Sequence, residues 1–121
     1  MVEYRLTEAE ERFAEIIWSN EPISSPDLVK LCEKEFEWKK STTYTMLKRL
    51  EHKKIFKNNN SIVISLIKRD DFFGEQSKIF VEENFGGSLP KFIAAFTRGK
   101  KLNEKEVQEL QKLIQDHKEE E

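Results

Sequence analysis

Residues 39–54 read "KKSTTYTMLKRLEHKK", with six Lys or Arg in sixteen positions, in a chain whose formal net charge is −2. Thr43, Met46, Leu47 and Leu50 recur at i, i+3, i+4 and i+7, the spacing of one helical face. This predicts a helix over about 40–53 that packs inward on those four residues. Ser41, Thr42, Tyr44, Thr45, Lys48, Arg49 and His52 fall largely on the rest of the wheel. Residues 38–57 carry seven basic side chains and one acidic, net +6, whereas residues 1–37 are net −6 and residues 58–121 net −2. One basic patch therefore sits on an acidic body, and it is local potential that steers a polyanion.

Upstream of this helix, Thr7 followed by Glu10 is a capping-box pattern. A helix follows to about Ser19, with Leu6, Ala9, Phe13, Ile16 and Ile17 at 3–4 spacing. Asn20, Glu21 and Pro22 end it, and Ile23 reads as a short extended residue. Ser25-Pro26 reads as an N-cap with a first-turn proline. It opens a second helix carrying Leu28, Val29, Leu31 and Cys32. "EKEFEWKK" is then a turn anchored by Phe36 and Trp38. Downstream, "KNNNS" between Ile55-Phe56 and "IVISLI" predicts a tight β-hairpin, because Asn tolerates positive φ.

Beyond the hairpin the pattern is helical again. "DDFFGEQSKIFVEENF" is broken by Gly86-Gly87. Ser88 caps "SLPKFIAAF", and Asn103 with Glu106 caps a last helix carrying Val107, Leu110, Leu113 and Ile114. The order is three helices, a hairpin and three helices. The expected fold is mainly α with a small β-hairpin: a winged helix-turn-helix domain over residues 1–70 and a helical dimerisation segment over residues 71–121. In that plan the third helix enters the major groove. The last three helices are too sparse to build a core alone, so a second copy would complete their apolar stripes. Phe80, Phe85, Leu89, Phe92, Ile93, Phe96, Val107, Leu110 and Ile114 are the expected dimerisation residues.

No catalytic class is supported. His52 and His117 lie far apart without Cys or carboxylate neighbours at metal-ligand spacing. There is no P-loop, nucleotide-binding glycine turn or nucleophile elbow. Acidic pairs such as Glu10-Glu11 read as solvated helix faces, and no cofactor or metal is expected. The single Cys32 excludes an internal disulfide, suits a reducing cytoplasm and reads as a small core residue. The start, "MVEYRLTEAEERF", has no apolar h-region and does not read as a signal peptide, and no transmembrane helix is expected.

Two readings of the basic helix remain open. In the first, Ser41, Thr42 and Thr45 approach bases or phosphates, Tyr44 meets a thymine methyl or a phosphate, and Lys48 and Arg49 reach phosphates or guanine edges. Lys39, Lys40 and Lys53 hold the DNA backbone. In the second, residues 38–57 bind an acidic protein and the chain is a winged-helix protein–protein module.

Three stretches in order resemble the penicillinase-repressor family, which includes the repressors of β-lactamase and methicillin-resistance genes and their copper-responsive relatives. They are "LTEAEERFAEIIWSNEPISSPDLVKLC", "EWKKSTTYTMLKRLEHKKIF" and "FGGSLPKFIAAFTRGKKLNEKEVQELQKLI". The resemblance implies a homodimeric repressor on a pseudo-palindromic double-stranded DNA operator. The recognition helix supplies Ser41, Thr42, Tyr44, Thr45, Lys48 and Arg49, and Lys57 stands at the wing base. It also implies a regulatory protease as a further partner. Four departures accompany it. Lys39-Lys40 stands where relatives have Ser-Pro, which moves the expected helix cap to Ser41. Lys54 replaces the glycine that ends the helix, so the left-handed cap is lost or strained. The wing tip lacks cations. Ala95-Phe96 occupies the position of the Asn-Phe bond cleaved in penicillinase repressors. Apart from these four, the tail "HKEEE" lacks the cysteines of the copper-responsive relatives, so copper sensing through them is not expected.

Overall fold

Thr7 does open the first helix. In the computed structural model, which describes residues 1–120, its hydroxyl accepts from the Glu10 N–H at 3.1 Å while the Glu10 carboxylate accepts from the Thr7 N–H at 2.9 Å. Helix α1 spans Glu8–Asn20. A two-residue strand β1, Ile23–Ser24, leads into α2, Ser25–Phe36. The α2 cap is Ser24, whose hydroxyl accepts from the Asp27 N–H at 3.1 Å, one residue earlier than the sequence suggests. Ser25 is thereby freed, and its N–H donates to the Ser61 carbonyl at 2.8 Å. Helix α3 covers Lys40–His52. Strands β2, Phe56–Asn59, and β3, Ile62–Ser65, form the hairpin, and β1 adds to it antiparallel in the order β1-β3-β2.

Three helices with this small sheet make a winged helix-turn-helix. Its core gathers Phe13 and Ile17 of α1, Leu28 of α2, Leu47 and Leu50 of α3, and Phe56 and Val63 of the hairpin, all fully buried. Each such side chain contributes about 1.5–3 kcal/mol by leaving water. Cys32 joins them, and burial pushes its thiol up to about 11, so it stays protonated and inert.

Helix α4 runs Arg69–Phe85, α5 Leu89–Gly99 and α6 Glu104–Glu119. The chain divides into two compact units, the first ending at Ile79 and the second beginning at Phe80. The sequence pattern places the boundary at residue 70. Phe72 explains the difference. It is fully buried in the first unit, where its ring lies 5.1 Å from Tyr4 and 5.4 Å from Trp18. The Trp18 indole N–H donates to the Ile67 carbonyl at 3.1 Å, and Gln76 Nε2 donates to the Tyr4 carbonyl at 2.8 Å. The first two turns of α4 therefore belong to the winged-helix core.

Within the second unit, Gly86 and Gly87 take φ of +59° and +80°, which turns the chain between α4 and α5. Ser88 caps α5 and Asn103 with Glu106 boxes α6, as their sequence predicts. Among the described residues of this unit none is buried. No helix of the described residues is long and apolar enough to cross a membrane.

Candidate nucleic-acid interface

The apolar spacing of α3 dictates which of its residues face outward. Thr43, Met46, Leu47 and Leu50 are buried, so Ser41, Thr42, Thr45, Lys48, Arg49 and His52 stand exposed. At 3.6 residues per turn these six fall within about 120° of arc, one continuous stripe. His52 lies four residues beyond Lys48 and seven beyond Thr45. That spacing is legible in the sequence, and the structure adds His52 to the exposed stripe. Thr45 returns its hydroxyl proton to the Ser41 carbonyl at 2.9 Å, leaving the oxygen to accept from outside.

At its start α3 has no side-chain cap. Lys39, not Ser41, is the N-cap residue, and Ser41 lies inside the first turn. The first N–H groups therefore point outward beside the ammonium groups of Lys39 and Lys40, at the positive end of the helix dipole. Lys40 Nζ lies 6.0 Å from the Tyr44 ring.

Two of the residues expected at DNA, Lys53 and Tyr44, make contacts inside the protein. Lys53 Nζ donates to Glu10 Oε1 at 3.0 Å and to the Arg5 carbonyl at 2.7 Å. Glu10 is only 3% exposed. Burial raises its carboxyl, but the Thr7 N–H, the Lys53 ammonium and the Thr7 hydroxyl outweigh this and hold it below the ordinary value of 4.5. The Lys53 charge is thus spent on α1. Tyr44 is half-buried, and its hydroxyl reaches Ser25 Oγ at 3.3 Å. This ties α3 to the start of α2.

The far end of α3 keeps a left-handed cap without glycine. Lys54 has φ +67°. Its N–H donates to the Glu51 carbonyl at 3.0 Å, and the Ile55 N–H donates to the Leu50 carbonyl at 3.1 Å. These are the two bonds of a Schellman motif, closed by contact between buried residues of C3 and C″ type, Leu50 and Ile55. The cap is therefore strained and not lost. Glu51, the one acidic residue of the basic segment, accepts from the Asn58 N–H at 3.3 Å and so links α3 to β2. Lys57, next along β2, is exposed.

On the second unit the expected dimerisation residues form an apolar surface. Phe80, Leu89, Phe96, Val107 and Ile114 are exposed, while Phe85, Phe92, Ile93 and Leu110 are half-buried. Phe92 sits 5.5–6.3 Å from the rings of Phe80, Phe85 and Phe96. A groove of about 400 Å³ runs between α5 and α6, walled by Phe92, Ile93, Phe96, Leu102, Leu110 and Leu113. Leu113, 66% exposed, is the largest aliphatic addition to the expected set.

A winged helix whose third helix turns an exposed, cation-bearing stripe to solvent defines the class: a helix-turn-helix protein of the DNA-binding kind. Comparison with known proteins narrows this. The penicillinase repressor family profile matches residues 6–116. The penicillinase repressor of Staphylococcus aureus is 31% identical over 105 residues, which cover 84% of this chain and 83% of that protein. The methicillin resistance regulatory protein MecI of S. aureus strain Mu50 is 27% identical over 116 residues, 92% of this chain and 94% of that protein. The protein of the same name from Mammaliicoccus sciuri is 26% identical over the same extent. The chain belongs to the penicillinase repressor family, and its function is that of a DNA-binding transcriptional repressor.

Proposed function

We propose that two copies of this chain bind a pseudo-palindromic operator through paired α3 helices and repress by occluding a promoter. The observation that carries the reading is the α3 stripe: Ser41, Thr42, Thr45, Lys48, Arg49 and His52 stand exposed along one side, with the uncapped, cationic helix start at one end. Lys48 and Arg49 would take phosphates or guanine edges, and Ser41, Thr42 and Thr45 would take bases or phosphates at close range. Lys39 and Lys40 would flank the phosphates approaching the helix N-terminus. Lys57 would hold a phosphate at the wing base. Tyr44 would offer its ring edge to a thymine methyl while its hydroxyl braces Ser25. Lys53 leaves the contact set, because its ammonium is engaged by Glu10 and Arg5.

The apolar surface of α5 and α6 supports a dimer as the working form. A monomer that exposes so much continuous apolar surface marks an interaction site. The natural place of action is the cytoplasm, where the operator lies. A regulatory protease enters this reading as a partner for α5. Ala94, Ala95 and Phe96 are exposed, and the Ala95–Phe96 bond lies within the helix, so cutting would follow local unwinding of α5.

Selection from a random duplex library, followed by shift assays across a salt series, tests the proposal. If each recognition unit neutralises about 3–4 phosphates, log K should fall with log salt at a slope of about −5 to −7 for the dimer. Lys48→Ala with Arg49→Ala should flatten the slope by about 2 per protomer. A slope near zero, or failure to select any sequence, would overturn it and hand the basic stripe to an acidic protein partner.

A further inference from the structure

Residues 2–6, ahead of α1, hold the end of α3 and the start of α4 at once. Val2, Tyr4 and Leu6 are half-buried and pack on the core, while Glu3 and Arg5 between them are exposed. The segment meets α3 at its C-cap, Lys53, through two bonds of opposite sense. The Glu3 N–H donates to the Lys53 carbonyl at 3.0 Å, and the Lys53 ammonium donates to the Arg5 carbonyl at 2.7 Å. Between these anchors Tyr4 turns to α4. Its ring lies 5.1 Å from that of Phe72, and its carbonyl accepts from Gln76 Nε2 at 2.8 Å. This short segment thus bridges the helix that carries the basic stripe and the helix by which the chain leaves the first unit, which ends at Ile79.

Tyr4 grips α4 on either side of Gly74. Glycine is the weakest helix former after proline, so α4 is soft at this point. Packing does not call for glycine there, because a Cβ placed on Gly74 would meet no atom within 4 Å. The contacts to Phe72 and Gln76 therefore splint the helix across its weakest position. In a dimer on two half-sites, α3 meets one groove while α4 carries the chain on to the segment that would pair with the second copy. One added base pair moves a half-site by about 3.4 Å and turns it by about 35°. A helix free to bend at Gly74 would absorb that shift, whereas a splinted one would not.

We propose that Tyr4 and Gln76 are positioning residues for half-site spacing: they hold α4 straight across Gly74 and fix it to the end of α3. The proposal rests on the paired-α3 reading above and names what sets its spacing.

The test uses the full chain and the best two-half-site duplex from the library selection. Its spacer is lengthened or shortened by one base pair, and a duplex with a single half-site is run beside it. The wild-type chain should lose about tenfold in affinity for either change, as tethering fails when the geometry no longer fits. Gln76→Leu removes the donor, keeps the bulk, and should cut that loss to about threefold or less. Its affinity for the single half-site should stay within about twofold of wild type, since no DNA contact is touched. Gly74→Ala added to Gln76→Leu should return the loss to about tenfold, because a stiffer helix no longer needs the splint. That rescue separates positioning from a general loss of stability. An unchanged spacing profile in Gln76→Leu would overturn the proposal. So would a wild-type profile that is already flat, or a flat Gln76→Leu profile that Gly74→Ala leaves flat. None of these results touches the salt slope or the effect of Lys48 and Arg49, so the DNA-binding reading is judged separately.

Discussion

Lys48 on α3 and Lys53 at its C-cap sit five positions apart, and composition does not distinguish them. Lys48 is exposed on the outward stripe, whereas Lys53 is 23% exposed and joined to a carboxylate that is 4% exposed. Removing Lys53 leaves the Glu10 carboxylate buried without its counter-charge, held only through Thr7. Lys53→Ala should therefore cost about 2–3 kcal/mol in urea denaturation, toward the low end for a broken buried pair because Lys53 keeps some water. Lys48→Ala should stay within about 0.5 kcal/mol of wild type in the same measurement. The same carboxylate governs acid stability. Glu10 and Glu21 both lie below 4.5 when folded, Glu21 because hydrogen bonds from Ser65 and the charge of Lys68 overcome the effect of burial. A carboxyl depressed by folding stabilises above its unfolded value and loses that contribution as pH falls through the folded one. Stability should hold from pH 7 to about 5 and fall progressively below about 4.5. Glu10→Gln should lower the neutral-pH plateau and shallow the acid limb, as read by melting temperature against pH.

At the scale of the element, α3 is a helix whose two ends break the usual rules for opposite reasons. Its start forgoes a side-chain cap, and this leaves free N–H groups beside Lys39 and Lys40. The missing stabilisation of about 1 kcal/mol is consistent with a segment kept for anion contact. Its end forces Lys54 to φ +67°, which costs a residue with a Cβ about 1 kcal/mol. The Schellman bonds and the Leu50–Ile55 pair hold it there. Lys54→Gly should raise stability by about 0.5–1 kcal/mol, the relief of strain being partly offset by the greater freedom of glycine in the unfolded chain. A higher denaturation midpoint with an unchanged m-value checks this, and a lower midpoint would show that the Lys54 side chain packs usefully. The 3–4 periodicity of α1, α3 and α6, the capping pairs of α1 and α6 and the Asn-rich turn were legible because each rests on neighbours within one or two turns. The shift of the α2 cap from Ser25 to Ser24 was not, because two adjacent serines offer the same local chemistry. What separates them is the Ser61 carbonyl, far along the chain, that claims the Ser25 N–H.

For the whole molecule, the two units have different needs. The winged helix buries a full core of its own, including Phe72 from α4, whereas the described residues of the second unit bury none. Leu113 and Ile114, 66% and 64% exposed, lie on the helix best placed to test whether a second copy covers this surface. The 14.4 kDa chain should sediment as a dimer. Leu113→Asp should yield a folded monomer whose affinity for a two-half-site duplex falls by about 100-fold, because the second half-site no longer gains from tethering. A wild-type chain that sediments as a monomer would sink the dimer.

The sequence by itself determined the order of elements, the inward face of α3, the hairpin turn and the family, since all of these are written in local spacing and in short motifs. Only the tertiary structure decided which cation of the basic segment is held by a carboxylate of the same chain and where the first unit ends. Lys53 pairs with a carboxylate 43 residues away, and Phe72 joins a core begun by Tyr4 and Trp18. A charge or a ring has no assigned role until the chain brings its partner to it, and that partner's distance in sequence is what the local pattern does not contain.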